Sequence, residues 1–468
     1  MIRKSLLALG LSACLGACSL APEYQRAPAP VPAQWPAGEA YKEAQPSADA
    51  PKARDMSYRD FFPDANLRKI IGLALENNRD LRLAALNVEK ARAMYGIRKA
   101  DLYPAVNAAA GANVQRIPED LSSSGRAVTS ERYGVDLGIA AWEIDFFGRI
   151  RGLKDQALEE FLATEHGRRS VQIGLVYEVA GVYMTLAADR ENWELACSTL
   201  ASQQAAFAMI KRQYEVGVAT ELDMRRAETQ VLSAQRDIPR FIQQVAQDRN
   251  ALNLLAGVQV SEELLPANLS SVKPPGELSP ELPSEALLSR PDIMAAEHRL
   301  KGTHAFIGAA RAAFFPRISL TTTIGTASAE LSGLFGDGSG TWQFMPLITI
   351  PIFDARTWAA YRVSEADRDI ALAAYEKTIQ NAFREVSDAL AVQGTIDQEI
   401  ASQQALVDSV AETYRLSNKR YSVGIDSYLG VLDAHRSLYA QQQVLISFRL
   451  ARLANQARLY AVLGGGVQ

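Results

Sequence analysis

Four short stretches of the chain alternate apolar and polar positions with the two-residue period of a β-strand. In 105–115, Val106, Ala108, Ala110, Ala112 and Val114 share one face, with Asn107, Asn113 and Gln115 on the other. In 132–142, Tyr133, Val135, Leu137, Ile139 and Ala141 alternate with Arg132, Gly134, Asp136 and Gly138. In 317–325, Ile318, Leu320, Thr322 and Ile324 alternate with Arg317, Ser319, Thr321 and Thr323; in 341–352, Trp342, Phe344, Ile348, Ile350 and Ile352 fall together. The pattern predicts strands at about 104–116, 131–143, 316–326 and 341–352. Each has about the 9–11 residues that a tilted membrane-spanning strand needs. The same period also suits a four-stranded sheet packed on helices.

Elsewhere the pattern is helical. Helices of about twenty residues are predicted over 80–101 and 292–313, opened by Asp80 and by Pro291-Asp292 and stopped by Pro104 and Pro316. Two very long stretches, 148–238 and 352–468, contain no proline and are broken only at Tyr214-x-Val216-Gly217 and Tyr421-x-Val423-Gly424. The pieces before these motifs, 149–213 and 357–420, are rich in Ala, Leu, Gln, Glu and Arg, all good helix formers. At 1.5 Å per residue they make rods on the order of 100 Å long. Such rods suit coiled-coil-like packing or a tube of helices better than a compact globule.

The elements come twice. Asp80 through Pro104 aligns without a gap on Asp292 through Pro316, with Ala84/Ala296, Ala93/Ala305, Gly96/Gly308 and Ala100/Ala312 identical at an offset of 212. At an offset of 207, Tyr214-x-Val-Gly217 meets Tyr421-x-Val-Gly424, and Leu222, Ala227, Gln235, Phe241, Leu252 and Gly257 meet Leu429, Ala434, Gln442, Phe448, Leu459 and Gly464. Register kept over such lengths marks internal repeats. Two homologous halves are therefore expected at 63–257 and 283–464, joined by a Pro-rich linker at 258–282.

Composition adds an address. The 468 residues are 48% hydrophobic and 22% charged, too hydrophobic for a disordered chain and too charged for a polytopic helical membrane protein. No uninterrupted apolar run of about 18 residues follows residue 20, which argues against a membrane-crossing helix in the mature chain. A formal net charge of −4 argues against nucleic acid. Arg3, Lys4 and the apolar stretch Leu6–Leu15 read as an export signal, and Leu15-Gly16-Ala17-Cys18 resembles a bacterial lipobox. Residues 1–17 are expected to be a lipoprotein signal peptide, Cys18 the lipidated residue, and 18–62 a Pro-rich extended strap. Loss of the two charges on Arg3 and Lys4 takes the formal charge from −4 to −6, and Cys197 remains as a single thiol with no disulfide partner.

An exported, lipidated chain with four such strands invites a membrane reading. The polar loops 116–131 and 326–340 are long, and Trp142, Phe314, Phe315 and Trp342 lie near strand ends, where an aromatic girdle would sit. Four strands cannot close, and open edges are not tolerated in lipid. Membrane-spanning strands here require several copies to share one barrel.

With these features the chain resembles the outer membrane factor family, the TolC-like and OprM-like exit ducts of tripartite efflux and secretion systems. The resemblance runs from about Ser19 to Gly466. It rests on Cys18-Ser19-Leu20-Ala21-Pro22-x-Tyr24, Trp142-Glu143-x-Asp145-x-Phe147-Gly148-Arg149, Ile307-Gly308-Ala309-Ala310-Arg311 through Pro316, and Tyr421-x-Val-Gly424 leading to Leu432-Asp433-Ala434. Ala27 stands where close relatives often carry proline, and Lys301, Gly302 and His304 make their helix more polar than the family pattern.

The resemblance implies an α+β membrane protein. Three copies would form a twelve-stranded β-barrel, four strands per chain, continuing into a long periplasmic α-helical barrel in the cell outer membrane. It implies a homotrimer, outer-membrane lipids around the barrel, a periplasmic adaptor (membrane fusion) protein and an inner-membrane efflux transporter of the RND type. Hairpins centred on 214–220 and 421–427 would form the periplasmic tip, with Val216, Gly217, Val218, Thr220, Val423, Gly424, Ile425 and Ser427 offered to the adaptor. Leu429 and Asp433, four residues apart and so on one helix face, would point inward, and threefold symmetry would gather each into a ring. The repeat counterparts are Leu222 and Arg226, so the halves differ in charge there. Arg420 and Tyr421 are expected to hold one hairpin to the other. The local alternative is that Asp433 pairs with Arg436.

No catalytic constellation emerges. His166, His298, His304 and His435 share no ligand spacing, Gly336-Asp337-Gly338-Ser339-Gly340 has the wrong order for a nucleophile elbow, and no strand precedes Gly464-Gly465-Gly466 as a phosphate loop would need. No enzyme, metal or cofactor is expected. The leading reading is a passive outer-membrane duct for drugs or other small toxic compounds. The alternatives are a duct for metal ions or for proteins (type I export), and a lipid-anchored periplasmic coiled-coil scaffold.

Overall fold

The computed structural model describes residues 20–44, 51–276, 278 and 287–466. Cys18 and the signal segment lie outside the described residues. The chain forms two compact units: one holds the residues up to Pro28, Asn87–Thr164 and Ala295–Tyr375, the other Ala29–Leu86, Glu165–Met294 and the chain from Glu376 onward.

The first unit contains one antiparallel sheet of β1 (Val106–Ile117), β2 (Val128–Glu143), β3 (Arg317–Ser328) and β4 (Gly340–Thr349), in that order. The register places Ala108, Leu137, Ile324 and Trp342 in one apolar row, and Asn107, Gly138, Thr323 and Gln343 in the neighbouring polar row. Because side chains alternate, these rows lie on opposite faces. One face is thus largely apolar and the other largely polar or small, with Met345 and Leu347 of β4 among its apolar members. Among the described residues no strand pairs with the outer edges on β1 and β4, and most residues of these two strands are exposed.

Three details depart from the sequence reading. A bulge between Ile139 and Trp142, with Ala141 at φ 51°, shifts the phase of β2. Trp142 then pairs with Leu320 and Glu143 with Ser319, so Ala141 does not continue the apolar face as the alternation predicted; the bulge re-aims the strand end. β2 begins earlier than expected, at Val128. β4 ends at Thr349, leaving Ile350 and Ile352 in the coil beyond it, where Pro351 has no N–H to extend the ladder.

Among the described residues the long helices are α1 (Ala65–Asn77), α2 (Arg79–Ala100), α3 (Arg149–Glu215), α4 (Glu221–Ala256), α5 (Pro291–Ala312), α6 (Ala355–Gln393), α7 (Ile396–Ser422) and α8 (Tyr428–Val462). The 67 residues of α3 are continuous, on the order of 100 Å. The rod expected over 357–420 is broken at Gly394-Thr395 into α6 and α7. The strap crosses at this break: a side chain at Gly394 would collide with the carbonyl oxygen of Ala40. α4 runs through Pro239 without ending.

The core of the second unit gathers Phe61, Phe62, Leu67, Ile70 and Ile71 with Tyr460, whose ring stacks on Phe61 at 4.1 Å. Asp64 caps α1 by accepting from the N–H groups of Asn66 and Leu67. α3 contains a window long and apolar enough by composition to cross a membrane, although no single run is uninterrupted. Val176, Val179, Tyr183, Met184, Leu186 and Ala187 of this helix are buried inside the chain; the apolarity serves a core seam. The strap is extended only in part. It forms short 3-10 turns at Glu39–Ala44 and Ala53–Asp55 and one α-turn at Tyr58–Phe61.

Candidate functional site

The two hairpins of the second unit end in the same turn. Gly217 and Gly424 both sit at φ 77°, where a side chain would be strained. Each turn closes with the same bond: Val218 N–H donates to the Gln213 carbonyl at 2.8 Å, and Ile425 N–H to the Arg420 carbonyl at 3.0 Å. These bonds satisfy carbonyls that the helix end leaves open. Val216, Val218, Val423 and Ile425 are exposed at the turns, an unusual price for soluble surface.

Beyond the turns the hairpins differ. Thr220 and Asp223 form a capping box that starts α4. The counterpart Ser427 makes no side-chain cap, and Gly430, standing where Asp223 would, has no carboxylate to complete a capping box. The second turn is instead closed by Arg420, which donates to both oxygens of Asp426 at 2.5 and 3.1 Å and holds that carboxyl below the usual carboxylate range. The two hairpins meet around Ile210, Ala227, Tyr428, Val431 and Leu432. There Tyr421 O–H donates to Gln213 Oε1 at 2.7 Å. Gln203 donates to His435 Nδ1 at 2.7 Å, and burial lowers the His435 pKa, so the ring stays neutral.

Leu429 is 42% exposed and Asp433 is exposed, both turned away from this cluster. Among the described residues Asp433 makes no ion pair with Arg436. Leu222 is exposed and Arg226 half-buried on the other hairpin. Of the two residues expected to join the hairpins, Tyr421 does so and Arg420 does not; its ion pair stays within its own turn. Gln213 and Asp426 were not anticipated. Gln213 is the repeat counterpart of Arg420, and the duplication alone could have drawn attention to it.

At the foot of the sheet, Glu143 is 9% exposed and is held by three contacts: Arg149 Nε and Nη2 at 2.7 and 2.8 Å, and Arg317 Nε at 2.6 Å. The bulge that re-phases β2 delivers this carboxylate to its partners. Asp145 accepts from the Arg151 backbone N–H at 2.8 Å and from its guanidinium at 3.2 Å, fixing the first turn of α3.

The start of the strap is docked on α5. Glu297 accepts from Tyr24 Oη at 3.1 Å and from Arg26 Nε and Nη2 at 3.0 and 2.8 Å, and pairs with Lys301 at 3.2 Å. The Lys301 ammonium lies 5.2 Å from the centre of the Tyr24 ring, and His304 meets the same ring edge-on. Arg311 donates to the Leu20 carbonyl at 3.2 Å, and Ala21 lies so close to Gly308 that no side chain fits there. The unexpectedly polar Lys301 and His304 thus form a seat for the strap. Replacing Glu297 with Ala is expected to release it, at about 1.5–3 kcal/mol for charge-assisted bonds lost. Limited trypsin digestion would show this as faster cleavage at Arg26.

Midway along the first hairpin, Asp189 of α3 faces Asp248 of α4 across a shared hydrogen bond, with Asn192 also bonded to Asp189 and Arg240 nearby. Burial raises both carboxyls, and Asp189 helps push Asp248 up to about 7. A carboxyl raised on folding binds a proton that the unfolded chain has already released. Stability therefore falls as pH rises from about 4 to about 7, and levels off above. Thermal melts are expected to show greater stability at pH 5.5 than at pH 8, with the difference reduced in Asp248→Asn.

The family model "Outer membrane efflux protein" matches residues 70–258 and 282–465. The chain is 45% identical over 465 residues to the probable efflux pump outer membrane protein TtgC of Pseudomonas putida, covering 99% of this chain and 96% of the relative. It is 42% identical over 461 residues to the outer membrane protein OprJ of Pseudomonas aeruginosa, covering 98% and 95%. Among solved structures it is similar to the open-state Neisseria gonorrhoeae MtrE outer membrane channel, with 35% identity, TM-score 0.86 and coverage of 96% and 99%.

Proposed function

Because the chain belongs to the outer membrane efflux protein family, we infer that it is the outer-membrane channel of a tripartite efflux system, a passive exit duct with a periplasmic helical extension. The sheet carries this reading: four strands with one apolar face and two unpaired edges need further strands before they can stand in lipid. Three copies supply twelve strands and close the barrel. The helices then continue the wall into the periplasm, where an adaptor docks on the exposed Val216, Val218, Val423 and Ile425 around Gly217, Gly424, Thr220 and Ser427, and an inner-membrane transporter of the RND type supplies the energy. Similar proteins are described as toluene and antibiotic efflux pump outer membrane proteins. The cargo here is of the same kind, small toxic compounds.

Cys18 carries the lipid in this account, two residues before Leu20, whose carbonyl accepts from Arg311. Leu429 and Asp433 form the periplasmic constriction, one apolar and one anionic ring. The first hairpin is braced by its capping box. The second is held by Arg420–Asp426 within its turn and by Tyr421–Gln213 to its neighbour, and is the part that moves. Accumulation of a fluorescent efflux dye tests the function: cells lacking the protein should retain dye, and the intact gene should restore export. Unchanged export after deletion, in a strain with no second duct, would contradict it.

A further inference from the structure

Within the first unit, α2, α3 and α5 enclose a groove of about 730 Å3. Ala91 and Met94 of α2 and Leu153 and Ala157 of α3 give it an apolar lining. Three cations also line it, Lys90 and Arg98 of α2 and Arg299 of α5, against one carboxylate, Glu160 of α3. All four charged residues are exposed. Among the described residues Lys90, Arg299 and Glu160 make no ion pair, and Arg98 reaches only Asp101, three residues on, at 3.5 Å. An exposed pair of this kind holds little energy. Even with Asp101 counted, the groove keeps a net positive charge, and its two unpaired cations come from different helices.

The strap reveals which way the groove opens. Glu297, Lys301, His304, Gly308 and Arg311 meet the strap. Spaced by four, three, four and three residues, they form one stripe along α5. Arg299 and Thr303, which line the groove, lie roughly 120–160° round the helix from that stripe, at about 100° per residue. Leu20, bonded to Arg311, stands two residues after Cys18, and two residues span at most about 7 Å. Acyl chains on Cys18 lie in the bilayer, outside any barrel. The strap face of α5 is therefore the outer face of the wall, and the groove opens toward the passage.

We propose that this groove is a binding site, inside the passage, for amphipathic organic anions: molecules with a compact apolar body and one sulfonate, sulfate or carboxylate. The apolar body covers Met94, Leu153 and Ala157, and the anionic group lies between Lys90 and Arg299. The volume falls within the roughly 300–1,000 Å3 of small-molecule sites. Uncharged compounds gain only the apolar contact, and organic cations meet repulsion from Lys90 and Arg299, so the site sorts solutes by charge. Its sign is opposite to that of the ring proposed at Asp433. Because the cations are exposed and screened by salt, the ligand is held weakly, as a duct requires of a solute that must also leave. The proposal rests on the duct and on the lipid at Cys18 proposed above, and adds a solute class and a place for it.

The test is protection of a cysteine placed in the groove, Met94→Cys in a Cys197→Ser background, measured on the full chain in outer membranes. Naphthalene-1-sulfonate at millimolar concentration is expected to slow its labelling by N-ethylmaleimide several-fold. (1-Naphthylmethyl)trimethylammonium, the same apolar body with the opposite charge, should not. Adding Lys90→Gln and Arg299→Gln is expected to weaken protection by the sulfonate roughly three- to tenfold, and high salt should weaken it too. Equal protection by the two probes, protection that survives both substitutions, or no protection by the sulfonate would each overturn the site. Attachment of a polyethylene glycol maleimide to the same cysteine should lower the unitary current in a planar bilayer. An unchanged current after complete attachment would put the groove outside the passage and overturn the proposal. Absence of any current from the Cys197→Ser parent would instead defeat the underlying duct. If Met94→Cys fails to assemble, Thr303→Cys on the facing helix replaces it in each step.

Discussion

Replacing Glu143 with Ala is expected to destabilise the assembled protein by about 2–3 kcal/mol per chain. Glu143 is almost fully buried and satisfies two guanidinium groups at once, through contacts of 2.6–2.8 Å. Removing it leaves Arg149 and Arg317 close together with no anion between them. Both arginines are partly exposed, so water recovers part of the loss, which keeps the figure below that of a fully enclosed pair. The damage is local to the point where β2 ends, the chain turns and α3 begins. The measurement is the temperature at which the oligomer converts to monomer on a gradient-heated gel. A fall of several degrees is expected for Glu143→Ala, with a smaller fall for Glu143→Gln, which keeps the shape and some of the hydrogen bonds. An unchanged transition in both variants would mean that the ion pairs are hydrated ornaments.

The second large effect concerns the constriction proposed at Leu429 and Asp433. Leu429→Ala combined with Asp433→Ala is expected to raise the resting single-channel conductance several-fold. The two side chains share one face of α8, both are exposed, and neither is used by the cluster that joins the hairpins. Their replacement should therefore leave the fold intact while removing an apolar ring and a ring of charge. Asp433→Ala alone should weaken the preference for cations, and Leu429→Ala alone should widen the pore without changing that preference. Conductance and selectivity equal to wild type in all three variants would remove these residues from the constriction.

Much of the architecture was legible because two periods are hard to confuse. The alternation in 105–115 and 317–325 could serve only a strand with two different faces, and the proline-free stretches could serve only long helices. The duplication was visible in the same residues that build the turns, Tyr214-x-Val-Gly217 and Tyr421-x-Val-Gly424. What could not be read depended on partners distant in sequence. The bulge after Ile139 exists because β2 must pair with β3 and still deliver Glu143 to Arg149 and Arg317, and no local pattern announces it. The need for glycine at 394 follows from the passage of Ala40, more than three hundred residues away. Lys301 and His304 read as intruders on an apolar helix until Tyr24 was seen against them. At the tips, the residue types for a polar tether were evident, but the choice of Gln213 for Tyr421 and of Asp426 for Arg420 needed the spatial register of the hairpins.

The central claim is that copies of this chain together make an open passage through a membrane without an energy source of their own. Single-channel recording of the purified oligomer in a planar lipid bilayer tests this most directly. Discrete unitary currents, present with no nucleotide and no imposed proton gradient, are predicted. A folded, stably oligomeric protein that yields no current at any concentration or voltage would contradict it.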